Sequence, residues 1–168
     1  MALVAAAQLR PACDRLIVVL GPESDTLAGL LAAAGVETVW CPDADAGLGH
    51  SLAAGVRATP DATGWLVALA DMPFIAPSSY QAVATALRAG ASLAACEFEG
   101  RRGHPVGFAG RWFEALSQLT GEQGAKALID AHREQMERCP TEDPGVLWDV
   151  DRPEDLAGWS AYSRSNSG

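Results

Sequence analysis

The sequence predicts a three-layer α/β/α sandwich around a Rossmann-like, mostly parallel sheet. Three observations point there. Short apolar runs without charge, Leu16-Ile17-Val18-Val19-Leu20 and Leu66-Val67-Ala68-Leu69-Ala70, have the length and composition of strands buried on both faces. Helical segments of about ten residues alternate with such runs, as in βαβ units. Glycine and proline punctuate the boundaries at Gly21-Pro22, Gly35 and Gly90.

The elements follow in order. Ala2 to Leu9 is alanine-rich and helical by propensity. Leu16 to Leu20 is a strand closed by Gly21-Pro22. Ser24 caps a helix through Ala34, and Gly35 ends it. Val36 to Trp40 is the second strand. A polar loop, Pro42 to Gly49, leads into a helix over Ser51 to Ala58. Gly64 to Leu69 is the central strand, and Ser78 to Ala89 a helix ended by Gly90. Ser92 to Phe98 is a further strand. Glu99 to Gly103 then forms a turn carrying two cations, and His104 to Phe108 a short extended piece. Arg111 to Leu119 is helical. Gly121 to Lys126 is a loop that enters a helix over Ala127 to His132. Gln135 to Cys139 and Val146 to Asp149 are short strands. Pro153 opens the last helix. The expected organisation is one domain over residues 1–162 and a frayed tail, 163–168.

The length, 168 residues, suits one domain with a sizeable core. At 49% hydrophobic and 20% charged residues the chain is globular, not disordered. The net charge of −9 argues against nucleic acid or an anionic membrane surface as partner. An anionic substrate therefore needs a local cation. Lys126 is the only lysine. Cys13, Cys41, Cys96 and Cys139 have no metal-ligand spacing and follow no signal peptide, which reads as reduced thiols in a cytoplasmic protein. No apolar run approaches a membrane span.

The chemistry-bearing stretch is Leu69-Ala70-Asp71-Met72-Pro73. Asp71 directly follows an apolar run, which puts it at the carboxyl end of a strand, where open α/β sheets bind ligands. Pro73 stops the strand and stiffens the turn. The rival reading makes Asp71 a cap for the helix near Pro77. A second acidic group, Asp149 and Asp151, follows a late strand. Residues two apart on an extended chain share a face. If the two strands are neighbours, these carboxylates can hold a hard cation such as Mg²⁺, with substrate phosphates and water completing its shell.

Five segments then carry a resemblance: Gly47-Leu48-Gly49-His50-Ser51-Leu52, Leu69-Ala70-Asp71-Met72-Pro73, Arg102-Gly103-His104-Pro105-Val106, Gly121-Glu122-Gln123-Gly124-Ala125-Lys126, and Asp149-Val150-Asp151-Arg152-Pro153-Glu154-Asp155-Leu156. In this order the chain resembles the MobA-like nucleotidyltransferases, and within them the molybdenum cofactor cytidylyltransferases. The resemblance implies a GT-A-like fold. It implies Mg²⁺-dependent transfer of CMP or GMP from CTP or GTP to a phosphorylated acceptor such as molybdopterin, with pyrophosphate leaving. The catalytic and metal residues it implies are Asp71 and Asp151, with Asp149 in the same metal-binding pair. Gly47, Leu48, Gly49 and Ser51 would lie beside base and ribose, the glycines permitting close backbone approach and Ser51 opening a helix whose amides face an anion. Arg102, Gly103, His104, Pro105 and Lys126 would line the acceptor side, with Lys126 standing where the family has arginine. A molybdoenzyme and a second copy of the chain are the implied protein partners.

The resemblance aligns Ala2 to Leu9 with the helix after the family's first strand and glycine-rich phosphate loop, and neither of those two elements is visible. That leaves a non-catalytic nucleotide-binding or partner protein as the second reading. A small-molecule oxidoreductase on the same fold is the third, weakened because no dinucleotide fingerprint of glycines is present.

Overall fold

A computed structural model describes residues 1–165, with side chains through Trp159; residues 166–168, part of the expected tail, lie outside the described residues. The helices are α1 (Ala2–Leu9), α2 (Asp25–Ala33), α3 (Leu48–Arg57), α4 (Pro77–Arg88), α5 (Phe113–Ser117), α6 (Lys126–Ala131) and α7 (Pro153–Ser165). The strands are β1 (Ile17–Leu20), β2 (Glu37–Trp40), β3 (Gly64–Val67), β4 (Leu93–Phe98), β5 (Arg101–Ala109) and β6 (Met136–Pro140).

β1 and β2 pair in parallel, from Ile17 opposite Glu37 to Leu20 opposite Trp40. The other strands form a sheet in the order β3-β5-β4-β6. There β3, β4 and β6 run in one sense, and β5 runs against both of its neighbours. β4 shows the layering most directly. Successive side chains of a strand point to opposite faces. Ala94 and Cys96 join a cluster with Leu9, Met72, Ile75, Tyr80 and Val83, beneath α1 and α4. Leu93 and Ala95 join the other, with Val56, Val106, Phe108, Leu116 and Ile129, beneath α3, α5 and α6. The result is helices, sheet and helices in three layers, as the composition of the apolar runs predicts.

Four local expectations are corrected. The segment read as a turn with two cations is a hairpin: Glu99 (φ 48°) and Gly100 (φ 75°) make a two-residue turn with both φ positive, so Arg101 and Arg102 are strand residues. β3 is shorter than expected, half-buried, and hydrogen-bonded to a strand on one side only, so it is not the central strand of its sheet. The helix expected from Ser51 begins at Leu48, because Gly47 turns the chain at φ 124°. Val146 to Asp149 is not a strand. The Asp143 carboxylate accepts a hydrogen bond from the Gly145 N–H at 2.9 Å and winds Pro144–Leu147 into a 3₁₀ turn.

β5 is regular except at one place. Ala95 pairs with Val106, yet Glu97 pairs with Arg102, so two residues of advance on β4 face four on β5. The surplus is a bulge at Gly103-His104-Pro105, with a cis peptide bond before Pro105. A proline inside an interior strand is tolerated because a bulge needs no ladder N–H there. Gly107, farther along, packs onto α4; an added Cβ would lie 2.7 Å from Val83 Cγ1. The four cysteines are free thiols, as the sequence predicts.

Tyr80 is 0% exposed, and its Oη has no hydrogen-bond partner among the described residues. Burial pushes the phenol up to about 12. An unpaired buried hydroxyl costs on the order of 1–3 kcal/mol. Tyr80→Phe is therefore expected to raise stability by roughly 1 kcal/mol, read as a higher urea midpoint at unchanged slope. A lower midpoint would show that the hydroxyl is satisfied in solution.

Candidate functional site

Asp71 lies four residues beyond β3, on a turn closed by the Met72 N–H donating to the Leu69 carbonyl at 3.3 Å. The expected position at a strand's carboxyl end thus holds for the edge of the sheet, with a short turn between. The cap reading fails. At the start of α4 it is Asp143 whose Oδ2 accepts, from the Ala76 N–H and from the Ser79 hydroxyl, both at 2.7 Å.

Asp143 ties the two acidic stretches together. Two of its three accepted bonds, from Ala76 and Ser79, join the chain before Asp149 to the chain after Asp71, and the third, from Gly145, fixes its own turn. The Val150 N–H adds a bond to the Asp71 carbonyl at 2.9 Å. Gly145 completes the contact, because a Cβ there would lie 2.3 Å from the Phe74 carbonyl oxygen. Sequence reasoning missed Asp143, although Asp-Pro-Gly is a recognisable turn signature.

A cavity of about 220 Å³ opens at this junction. Leu69, Met72, Val146 and Leu147 form its apolar wall; Arg102, Gly103, His104 and Asp149 form the rest. The β5 bulge is what brings Gly103 and His104 here, as bulges beside functional sites commonly re-aim side chains. Gly103 is required for packing as well: a Cβ would sit 2.4 Å from the Val146 carbonyl oxygen.

Asp71 is half-buried, and its Oδ1 is enclosed without a hydrogen-bond partner among the described residues. Burial raises its pKa, partly offset by its own backbone hydrogen bond, and the charges of Asp149 and Asp151 raise it further. A divalent cation would satisfy the orphaned oxygen and offset the mutual repulsion, so the residues present fit one. Asp149 and Asp151 are both exposed. They are not aligned on a strand, since the chain is coiled before α7. Among the described residues, no three His, Cys, Asp or Glu side chains are close enough to hold a metal by themselves. The expected three-carboxylate set is therefore not preassembled. Asp149 lines the cavity and its charge acts on Asp71, which sits on the turn between the cavity residues Leu69 and Met72; the Asp151 N–H caps α7 through Asp155 Oδ2 at 3.0 Å.

His104 is largely enclosed, and its Nδ1 has no hydrogen-bond partner among the described residues. Burial lowers its pKa and the Arg102 charge adds to this, against the Val67 backbone and Asp149, so the ring is neutral at pH 7. Pro105 is buried behind it.

The remaining expected residues form a separate group. The space beside Gly47 and Gly49 is filled by protein: a Cβ at Gly47 would lie 2.4 Å from Gly121 C, and one at Gly49 would lie 2.5 Å from the Thr120 oxygen. The Gly49 N–H donates to the Gly121 carbonyl at 2.8 Å. These glycines admit the Thr120–Glu122 backbone, which takes over the first-turn amide thought to face an anion. Ser51 is half-buried in the second turn of α3, and Leu48 stays 46% exposed. Lys126 starts α6, two residues after Gly124, where an added Cβ would meet Leu48 Cδ2 at 3.1 Å. It belongs to this loop pair and does not line the cavity of Arg102 and His104.

Comparison with known proteins agrees with this architecture. The family model of the MobA-like NTP transferase domain matches residues 1–136. The purine catabolism protein PucB of Bacillus subtilis (strain 168) is 31% identical over 118 residues, which is 68% of this chain and 57% of PucB. This chain thus spans little more than half the length of that relative. The crystal structure of Rv0371c from Mycobacterium tuberculosis H37Rv superposes with a TM-score of 0.79 at 25% identity, over 95% of this chain and 83% of that one. The same protein solved in complex with manganese gives 0.76 at 27% identity, over 94% and 84%. No helix among the described residues is long and apolar enough to cross a membrane.

The raised pKa of Asp71 has a sign that can be tested. The folded state holds this proton more tightly than the unfolded chain. The stability linked to it is full below the unfolded carboxylate range, about 4, and is lost as pH rises through the folded value. Asp71→Asn is therefore expected to raise the melting temperature of the metal-free protein at pH 7. The gain should shrink as the pH approaches about 4. An equal or lower melting temperature at pH 7 would mean that the charge is already compensated within the fold.

Proposed function

We propose that this chain, which belongs to the MobA-like NTP transferase family, is a nucleotidyltransferase that moves CMP or GMP from CTP or GTP to a phosphorylated small-molecule acceptor, molybdopterin by the sequence resemblance. An oxygen of the acceptor phosphate bonds to the α-phosphorus as the bond to the bridging oxygen breaks, and pyrophosphate leaves. The observation that carries this reading is the orphaned Oδ1 of Asp71, beside Asp149 and within reach of a cavity that also presents Arg102.

Asp71 and Asp149 would hold a divalent cation, with Asp151 nearby; the manganese complex of the mycobacterial relative supports a cation in this family, and Mg²⁺ is the proposed one. Bound there, it would neutralise triphosphate charge and stabilise the charge on the transferring group. Arg102 offers a guanidinium fork to the acceptor phosphate. Neutral His104, held by the bulge, adds a ring face and no competing positive charge. The wall of Leu69, Met72, Val146 and Leu147 suits an apolar or planar part of the acceptor. Leu48 and Ser51 are the candidate contacts to base and ribose. Gly47 and Gly49 act by seating the Thr120–Glu122 loop, and Lys126 stands next to that loop.

Calorimetric titration of CTP and GTP with and without Mg²⁺ tests this reading. The expected result is metal-dependent micromolar binding, about −8 kcal/mol, abolished by Asp71→Ala in a protein that keeps its fold. Pyrophosphate release on adding the acceptor separates the transferase from a protein that only binds nucleotide. Binding that is unchanged in Asp71→Ala would remove Asp71 from the site.

A further inference from the structure

We infer that Trp159 of α7 is a positioning residue for the metal-binding carboxylates, an inference that rests on Asp71 and Asp149 sharing a divalent cation. Phe74 lies three residues beyond Asp71, and Trp148 directly precedes Asp149. The Trp159 ring stacks nearly flat on Phe74, with centroids 4.4 Å apart and planes at 6°. It also stands edge-on to Trp148, at 5.5 Å and 73°. Both are favourable aromatic geometries. One side chain on the last helix therefore touches both of the segments that carry the carboxylates.

The fit around this cluster is close. Gly158 approaches Trp148 so nearly that an added Cβ would lie 3.2 Å from Cζ2. The arrangement has work to do, because Asp149 is exposed and repels Asp71, and its side chain accepts no protein hydrogen bond among the described residues. The Asp143 clasp fixes the chain up to Gly145, and the Val150 N–H fixes it after Asp149. Between these anchors Val146 and Leu147 are held by the core, Trp148 is the ring next to Asp149, and Trp159 packs against both Trp148 and Phe74. Groups that orient metal ligands without touching the metal commonly govern affinity by about 10–100-fold.

The test is Mn²⁺ titration followed by electron paramagnetic resonance, with thermal unfolding measured in parallel, on wild type, Trp159→Ala, Trp159→Phe and Asp71→Asn. Trp159→Ala should bind Mn²⁺ roughly tenfold more weakly, Trp159→Phe should recover most of the loss, and Asp71→Asn should not bind. Phe74→Leu keeps an apolar contact but removes the stack, and should weaken binding a few-fold; it serves if Trp159→Ala fails to fold. Wild-type affinity in both Trp159→Ala and Phe74→Leu, with binding lost in Asp71→Asn, would overturn the positioning role and leave the metal reading standing. No Mn²⁺ binding by wild type would overturn both. Equal losses in the alanine and phenylalanine variants, with matching drops in melting temperature, would show a role in folding alone and overturn the inference.

Discussion

Two carboxylates of like charge, nearly eighty residues apart in the chain, are brought near enough that the charge of Asp149 disfavours that of Asp71. That placement is unfavourable by itself, and much of the surrounding structure can be understood as holding it. Asp143 supplies the main restraint. Its carboxylate accepts from the Ala76 N–H, the Ser79 hydroxyl and the Gly145 N–H. Ser79 is 1% exposed, so breaking this set would leave donors buried and unpaired, which costs more than the bonds contribute when made. The restraint is thus strong in the direction that matters. The chain before Asp149 cannot lift away without stranding polar groups in the core.

The same junction shapes the sheet. β6 leads into the Asp143 turn, and β6 lies beside β4, whose other neighbour is β5. The bulge in β5 turns Gly103 and His104 toward that turn, where the glycine meets Val146 at backbone distance. Three chain segments, around Asp71, His104 and Asp149, therefore converge because one carboxylate, one bulge and one pair of glycines leave them no other way to pack. A second convergence, of the Gly47–Ser51 stretch with Thr120–Lys126, is built the same way, from glycines that admit a neighbouring backbone.

The fold class was legible because it rests on burial. Strand segments buried on both faces must be apolar, and Leu93-Ala94-Ala95-Cys96 of β4 is the clearest case. Helix ends were legible where backbone chemistry marks them, as at Pro77 and Gly35. The site was legible only in part. Arg102, Gly103, His104 and Asp149 line one cavity beside the Asp71 turn, yet the reason was invisible locally, since it lies in a register shift between β4 and β5 and in a side-chain hub at Asp143. Gly47 and Gly49 show the opposite error. Glycine in a loop marks a close approach, but the sequence does not say of what, and here it is another stretch of backbone. The strand expected over Val146 to Asp149 failed for a physical reason that outweighs apolar content: an Asx turn next to a proline coils the chain.

The bulge in β5 carries one more consequence. It holds two surplus residues, an even number, so Val106 and Phe108 beyond it keep the face they would have without it. An odd surplus would turn every later side chain of the strand inside out. A two-residue change at this point therefore leaves the facing of Val106 and Phe108 intact, although Gly103 and Pro105 in the bulge are themselves buried. A lineage could gain or lose the His104 projection by a two-residue insertion or deletion, with the rest of the barrier to change confined to the hairpin end. In β5 the parity of the surplus, not the identity of each residue, is what keeps the strand beyond the bulge the right way round.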